Sequence, residues 1–514
     1  MPDLATAPAL PQSSAPQSSV PQQSLPPWYD DRVVSPPRRR RIPGPPPVRR
    51  LVAVCAVVGL VVVILAAPGG PAGDARIALV VFVCAVALWV GTRVDDVYVA
   101  LGAALALVLG GVVGGDVLFA ALGSETVWLL VAAFVLSAGV AATGLTARCA
   151  AALLCRARTV RQMAHLVAIA LLFTAFAVPS TSGRAALAVP VFTALARAVG
   201  PRARVVRAFA VLFPTVILLT AVATLLGAGA HLVTNDVLAT TTGRQIGFAH
   251  WLLLGVPLAV VSAHIAAELV LRLFTTVDDR STPLRISVDE LASGLQTPVT
   301  GPLSGPEVQA LVVLGGAVAA WSTGPLHGAH PALVALVGAL VITTPRFGTT
   351  TMSHGLRTVP WSLLVFMAAT AVLGTALATS GAAGWLAEGL FGALHSAPPW
   401  VVVGAIVLVS VAAHLCIQSR TARSSVLIPL VIPVAIGVGL NPVAVAFAST
   451  AAAGFCHTLT SSAKPVAMFS AIDGVETYSA ADLLRLSAWL APITGLLVTA
   501  FAVFVWPHLG LPLT

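Results

Sequence analysis

Charge is what this 514-residue chain has least of: only 9% of its residues are Asp, Glu, Lys or Arg. A soluble chain carries about a quarter, so a set of water-exposed domains is excluded. With 58% hydrophobic residues and a mean hydropathy of +0.95, the bilayer is the solvent for most of the chain. Lysine is almost missing, Lys464 being the only one against 27 arginines. Cys55, Cys84, Cys149, Cys155, Cys416 and Cys456 stand singly in apolar stretches with no Cys-x-x-Cys spacing, so no disulfide framework or zinc site is indicated. His-Glu-x-x-His, Gly-x-Ser-x-Gly and clustered Asp/His motifs are also missing, so an enzyme is not indicated and no cofactor is expected. The net charge of +9 does not imply nucleic acid, because the basic residues lie between long apolar runs, where they read as topology signals.

The chain opens with a segment of another composition. Residues 1–50 hold 13 of the 37 prolines and the run Arg38 to Arg41. Such a segment cannot bury enough apolar surface to order itself and is expected to be a disordered tail. Its arginines, with Arg49 and Arg50 beside the first apolar run, favour a cytoplasmic N-terminus against anionic lipid. Apolar runs of spanning length begin near residues 51, 76, 97, 126, 206, 250, 307, 329, 359, 443 and 485, which predicts eleven crossings. The stretches 164–199 and 400–438 are each interrupted by a polar knot that leaves arms too short to cross, so they are predicted to be re-entrant hairpins. The first half runs over 51–275 and the second over 307–514, with a cytoplasmic linker at 276–306.

Arginine placement supports this map. With the N-terminus inside, 22 of the 27 arginines fall on predicted inner segments and only Arg76 and Arg244 on outer ones. The first hairpin is flanked by arginines and opens from the cytoplasm; the second has none in its flanks and opens from outside, as does the C-terminus. Arg184, Arg420 and Arg423 remain, and all three sit at hairpin tips. Aligning PSTSGRAALAVP (179–190) with QSRTARSSVLIP (418–429) sets Ser180 over Ser419, Ser182 over Thr421, Arg184 over Arg423 and Pro190 over Pro429. Each tip is followed by a long helix with a small polar break, LLGAGAHLV (225–233) and TLTSSAKPV (458–466), which sets His231 opposite Lys464. Paired broken helices in an inverted repeat point to a secondary transporter with its site at the midplane.

These tips and breaks resemble those of the divalent anion:sodium symporter family, the dicarboxylate and citrate permeases of the ion transporter superfamily. AFVLSAGVAATGLTARCAAALL (133–154), GFAHWLLLGVPLAVV (247–261), GPLSGPEVQALVVLGGAVAAW (301–321) and VLGTALATSGAAGWLAEGL (372–390) also follow family patterns, and the likeness covers roughly residues 51–510. The resemblance implies an all-α polytopic membrane protein that forms a homodimer and carries its hairpins and a bound anion across the membrane by an elevator motion. It also implies a Ser-Asn-Thr motif at each tip and an Asn closing each break, where sodium and a substrate carboxylate are held. Here the tips read Ser180-Thr181-Ser182 and Ser419-Arg420-Thr421, and the breaks carry His231 and Lys464, so sodium coupling is not expected.

On physical grounds a tip is a helix N-terminus with free amides, suited to an anion. The hydroxyls of Ser180, Thr181, Ser182, Ser419, Thr421, Ser461 and Ser462 add donors there, and ordinary N-capping by Ser and Thr is the simpler alternative. Arg184 and Arg423 need an anion at membrane depth, either substrate or a resident carboxylate, and only Glu125, Asp236, Glu268 and Glu388 lie near predicted spans. Arg420 and Lys464 stand where the family holds a cation and so can supply sodium's charge. Gly227 lies in the first break, and His231 and His457, in or near the breaks, are candidates to carry protons, against the commoner role of a buried histidine bonding backbone. The expected function is therefore secondary transport of small anions, foremost di- or tricarboxylates, at the plasma membrane. Sulfate-like transport and a proton-coupled or ion-exchanging member of the superfamily are the alternatives. A receptor or intramembrane enzyme finds no output domain or catalytic cluster.

Overall fold

The computed structural model describes residues 71, 73–92, 94–284, 286, 300–391, 397–460 and 462–514. The expected tail, the crossing near residue 51, residues 287–299 of the expected linker and Ser461 lie outside these residues. The described chain is helical almost throughout. Helices α1 (Asp74–Gly91), α2 (Asp96–Leu109), α3 (Gly115–Leu122), α4 (Glu125–Ala142) and α5 (Leu145–Leu154) come first. Next, α6 (Val160–Ala177) and α7 (Thr181–Val199) are joined through only Val178, Pro179 and Ser180. Helix α8 (Ala203–Leu219) then breaks into short 3-10 turns at Thr220–Ala223 and Leu225–Gly227 before α9 (Gly229–Thr242) and the long α10 (Phe248–Phe274). Thr224 and Ala228 are extended, with ψ of 150° and 148°, so the helical ladder is interrupted there and main-chain carbonyls are released.

The second half repeats this order after α11 (Val277–Ser281), α12 (Gly305–Ser322), α13 (Gly324–His327), α14 (Pro331–Ile342), α15 (Met352–Thr358), α16 (Trp361–Thr379) and α17 (Ala382–Phe391). Helices α18 (Pro399–Ala412) and α19 (Arg420–Gly437) form the second hairpin. Helix α20 (Pro442–Ala453) breaks over residues 454–463 and resumes as α21 (Lys464–Ser470), and α22 (Ala480–Ala500) follows.

Eight segments among the described residues are long and apolar enough to cross a membrane, and the crossing expected near residue 51 lies outside those residues. Hydropathy does not see where a helix is cut. Pro331 and Pro442 start α14 and α20 late, leaving 12 residues each, and α2 has 14. Conversely, α6 and α19 count as long helices although they are hairpin arms.

The two broken helices lie at the centre. Of the most apolar window in Ala203–Ala223, 94% is buried, against 28% for Ala480–Leu509 at the periphery. Each hairpin packs on the far half of the other repeat's broken helix: α21 lies against α7 and α8, and α9 against α19. Phe192 of α7, Phe213 of α8 and Phe469 of α21 form a ring triad with centroids 5.4–5.6 Å apart. Thr421 Oγ1 sits beside Gly229, and the hydroxyls of Thr234 in α9 and Thr450 in α20 are 2.5 Å apart.

A second group of helices, α1, α2, α3, α16 and α17, has its own apolar core, with Trp89 against Phe366 at 6.0 Å, and takes in Ile417, Ala422 and Val426 of the second hairpin. Helices α12, α14 and α15 pack around α4. This second group meets the rest where α9 faces α16, and α9 is tied to α4 by the carboxylate of Asp236, which accepts the Thr126 hydroxyl at 2.7 Å.

Candidate functional site

At both tips a serine caps the following helix. Ser180 Oγ accepts from the Gly183 amide and Ser419 Oγ from the Ala422 amide, each at 3.3 Å. These contacts satisfy one orphan amide per helix and leave the rest of each N-terminus as a donor surface. Thr181, Ser182 and Thr421 are half-buried in the first turns. The carboxylate of Asp96, at the start of α2, reaches the Ser419 hydroxyl.

The two aligned arginines have the same reach and different surroundings. Both are fully buried, and each sends Nη1 to a carbonyl of the broken helix that follows: Arg184 to Ile217 at 2.9 Å and Arg423 to Phe455 at 2.8 Å. Arg184 then spends its other nitrogens on protein atoms. Nε donates to Thr174 Oγ1 at 2.9 Å, and Nη2 donates to the Leu171 carbonyl at 2.6 Å and to Thr220 Oγ1 at 2.7 Å. It clamps the first hairpin arm to the end of α8. Arg423 has no such set: its Nε and Nη2 are sealed from solvent without a partner.

The break carbonyls are taken by nitrogen donors. His231 Nδ1 meets the Thr224 carbonyl at 3.0 Å, and Trp251 Nε1 of α10 donates to the Val222 carbonyl at 3.0 Å. A side chain at Gly255 would strike that same Val222 carbonyl, and one at Gly227 would strike the Ala221 carbonyl, so each glycine permits a close main-chain approach. In the second break the buried Ser462 Oγ accepts from the Leu459 amide at 2.9 Å. Lys464 and His231, matched by spacing, part company: His231 is buried against Trp251, and Lys464 is exposed, within electrostatic reach of Asp96.

Among the described residues, the buried side-chain nitrogens and oxygens without partners are those of His231 (Nε2), Arg420 (Nε, Nη1), Arg423 (Nε, Nη2), Ser424 (Oγ) and His457 (Nε2), plus one atom each of Arg202 and Arg207. The first five residues all sit at tips or breaks. Arg420 lies within electrostatic reach of the Cys456 thiol and of Arg184, His231, Arg423 and His457, and the described ion pairs all lie elsewhere. A buried cation is costly without compensating partners. Sequence reasoning missed Trp251 and Gly255, which act on a carbonyl some 30 residues away, and the Asp236–Thr126 contact between α9 and α4. Among the described residues no grouping of His, Cys, Asp and Glu is arranged to hold a metal ion.

A membrane protein of Cupriavidus necator is 26% identical over 396 residues, 74% of each chain. The crystal structure of the Alcanivorax borkumensis YdaH transporter, described as having an unusual topology, matches with a TM-score of 0.49 at 16% identity, covering 86% of this chain and 99% of that one. Residues 48–511 match the sodium:sulfate symporter transmembrane region, and the chain therefore belongs to that family of membrane transporters, the divalent anion:sodium symporters.

Proposed function

We propose that this member is a secondary transporter of small organic anions, di- or tricarboxylates, that works by an elevator motion and without sodium. The observation that carries this reading is the set of partnerless buried donors on Arg423 (Nε, Nη2) and His457 (Nε2) beside the second break. A carboxylate takes paired N–H donors well, and the guanidinium groups favour a dianion. The coupling argument rests on the same atoms. Released carbonyls are what a sodium ion would coordinate, and here Val222, Thr224 and Phe455 already receive N–H groups from Trp251, His231 and Arg423. Arg420 brings its own positive charge to the place. In this reading the transporter is a plasma-membrane homodimer with a cytoplasmic N-terminus and an external C-terminus, and the hairpin-bearing group moves against the other.

Uptake of labelled dicarboxylates into proteoliposomes, with sodium or potassium outside, tests the proposal. The expected result is saturable uptake that is equal in the two cations and falls by about tenfold or more in Arg423→Gln, the loss of a charged hydrogen bond to substrate. Strong sodium dependence sinks the coupling claim, and a lack of uptake or competition by any carboxylate sinks the substrate class. A sulfate-like oxyanion is the second reading, favoured by the family description itself; sulfate competing better than every carboxylate would select it.

A further inference from the structure

The guanidinium of Arg420 leads behind the hairpin tip into a small cavity. Its walls are Leu218 and Val222 at the first break, Gly454 at the second, Ser262 on α10 and Thr494 on α22, and it has about 20 Å³ of room for water-sized occupants. One water needs roughly 10–15 Å³ by that measure, so a single water or monatomic ion fits and a carboxylate-bearing substrate does not. Most of the wall is apolar, and the polar groups reaching it are Arg420, Ser262 and Thr494. Of the Arg420 guanidinium nitrogens, Nη2 lies beside Gly454 at the cavity wall, while Nε and Nη1 are buried without partners.

Charge decides between a water and an ion. Arg420 lies within electrostatic reach of both Arg184 and Arg423, and none of the three has a carboxylate partner among the described residues. Arg184 spreads its charge over four hydrogen bonds; Arg420 has nothing comparable on two of its nitrogens. Water can complete hydrogen bonds and leaves the net charge where it was. In a low-dielectric centre the uncompensated cation costs more than an unmade hydrogen bond.

We infer that this cavity binds one monatomic anion of the chloride class as a resident counter-ion, held by Arg420 with the hydroxyls of Ser262 and Thr494. In the present rotamers these hydroxyls donate to the Ala259 carbonyl at 3.1 Å and the Leu490 carbonyl at 2.7 Å of their own helices. Turning either hydrogen toward the anion exchanges a backbone bond for a charge-assisted one, which is the stronger of the two. The site goes beyond the transport reading and does not need it, because the substrate would lie at the tips and the counter-ion behind them.

Equilibrium binding of radioactive chloride to the purified full chain, in chloride-free gluconate buffer without any carboxylate, tests the inference. Saturable binding of about one chloride per chain is expected, competed by bromide and not by dicarboxylates or sulfate. Arg420→Gln is expected to weaken it by about tenfold or more, and Thr494→Val, which keeps the charge and the fold, by several-fold, in line with the strength of hydrogen bonds to ions. No saturable binding to well-folded wild-type protein overturns the site, as does binding left unchanged by Thr494→Val. One-for-one competition by a dicarboxylate also overturns it, since chloride would then occupy the substrate's place. Uptake is measured separately, so chloride binding without carboxylate uptake leaves this site standing while the transport reading falls, and the converse holds.

Discussion

Arg184 and Arg423 occupy one position of the repeat and do different work. Arg184 ties Leu171 and Thr174 of the hairpin arm to Ile217 and Thr220 at the start of the break, so its loss strands carbonyls and hydroxyls in the core. Arg184→Lys keeps the charge and loses the fork; it is expected to cost about 3–5 kcal/mol, the range for breaking a buried charged network. The fall in melting temperature should be the same with and without carboxylate. Arg423→Lys removes a side chain with two uncommitted nitrogens, so the free protein should lose less stability while the upward shift on adding carboxylate disappears. Thermal unfolding of the detergent-solubilised protein, with and without ligand, reads both. Tip alignment made the two arginines equivalent, and to that extent the site was legible in the sequence. What separates them was not, because the acceptors of Arg184 lie 10 residues behind it and 33 ahead and meet only on folding. The pairing of His231 with Lys464 failed to predict environment for the same reason: spacing sets the register and does not say which side of the break is covered.

At the scale of elements, the breaks are held open from outside. Trp251 on α10 supplies the N–H that the Val222 carbonyl lost when the helix ended, and Gly255, one turn on, lets the two backbones come close enough for that bond. Gly255→Ala puts a methyl group into the Val222 carbonyl and is expected to destabilise the protein by about 1–3 kcal/mol, as overpacking does. Trp251→Phe keeps most of the ring and strands the carbonyl, for a cost of about 1–3 kcal/mol. The pair should be strongly non-additive in a double-mutant cycle followed by thermal unfolding, since both act on one oxygen. Helix starts at the two tips were readable from local chemistry, with Ser180 and Ser419 each capping a helix. Lengths were not, because hydropathy runs on through a break that only a neighbouring helix makes affordable.

At the scale of the molecule, the α9–α16 seam is where the proposed elevator would slide. Gly374 on α16 faces Val237 on α9, with a side-chain carbon at Gly374 falling 3.5 Å from Val237 Cγ2. Gly374→Cys with Val237→Cys, in a background free of the native cysteines, should therefore form a disulfide on mild oxidation. Uptake should stop and return on reduction, while carboxylate-induced stabilisation persists in the locked protein. Full uptake through a demonstrated cross-link would rule out motion at this seam.

The reciprocal packing of the hairpins also sets a schedule for making the protein. Phe192 of the first hairpin finds its ring partner Phe213 almost at once, but its other partner, Phe469, is 277 residues further along the chain. At about 5–20 residues per second of synthesis, that is a wait of roughly 15 to 55 seconds. Throughout it, a tip bearing hydroxyls and an arginine stands in or near the membrane with half its packing surface uncovered. The first half is thus a nascent chain in need of shelter, and the insertion machinery or the clamp around Arg184 must hold the hairpin until the last tenth of the protein arrives to close it.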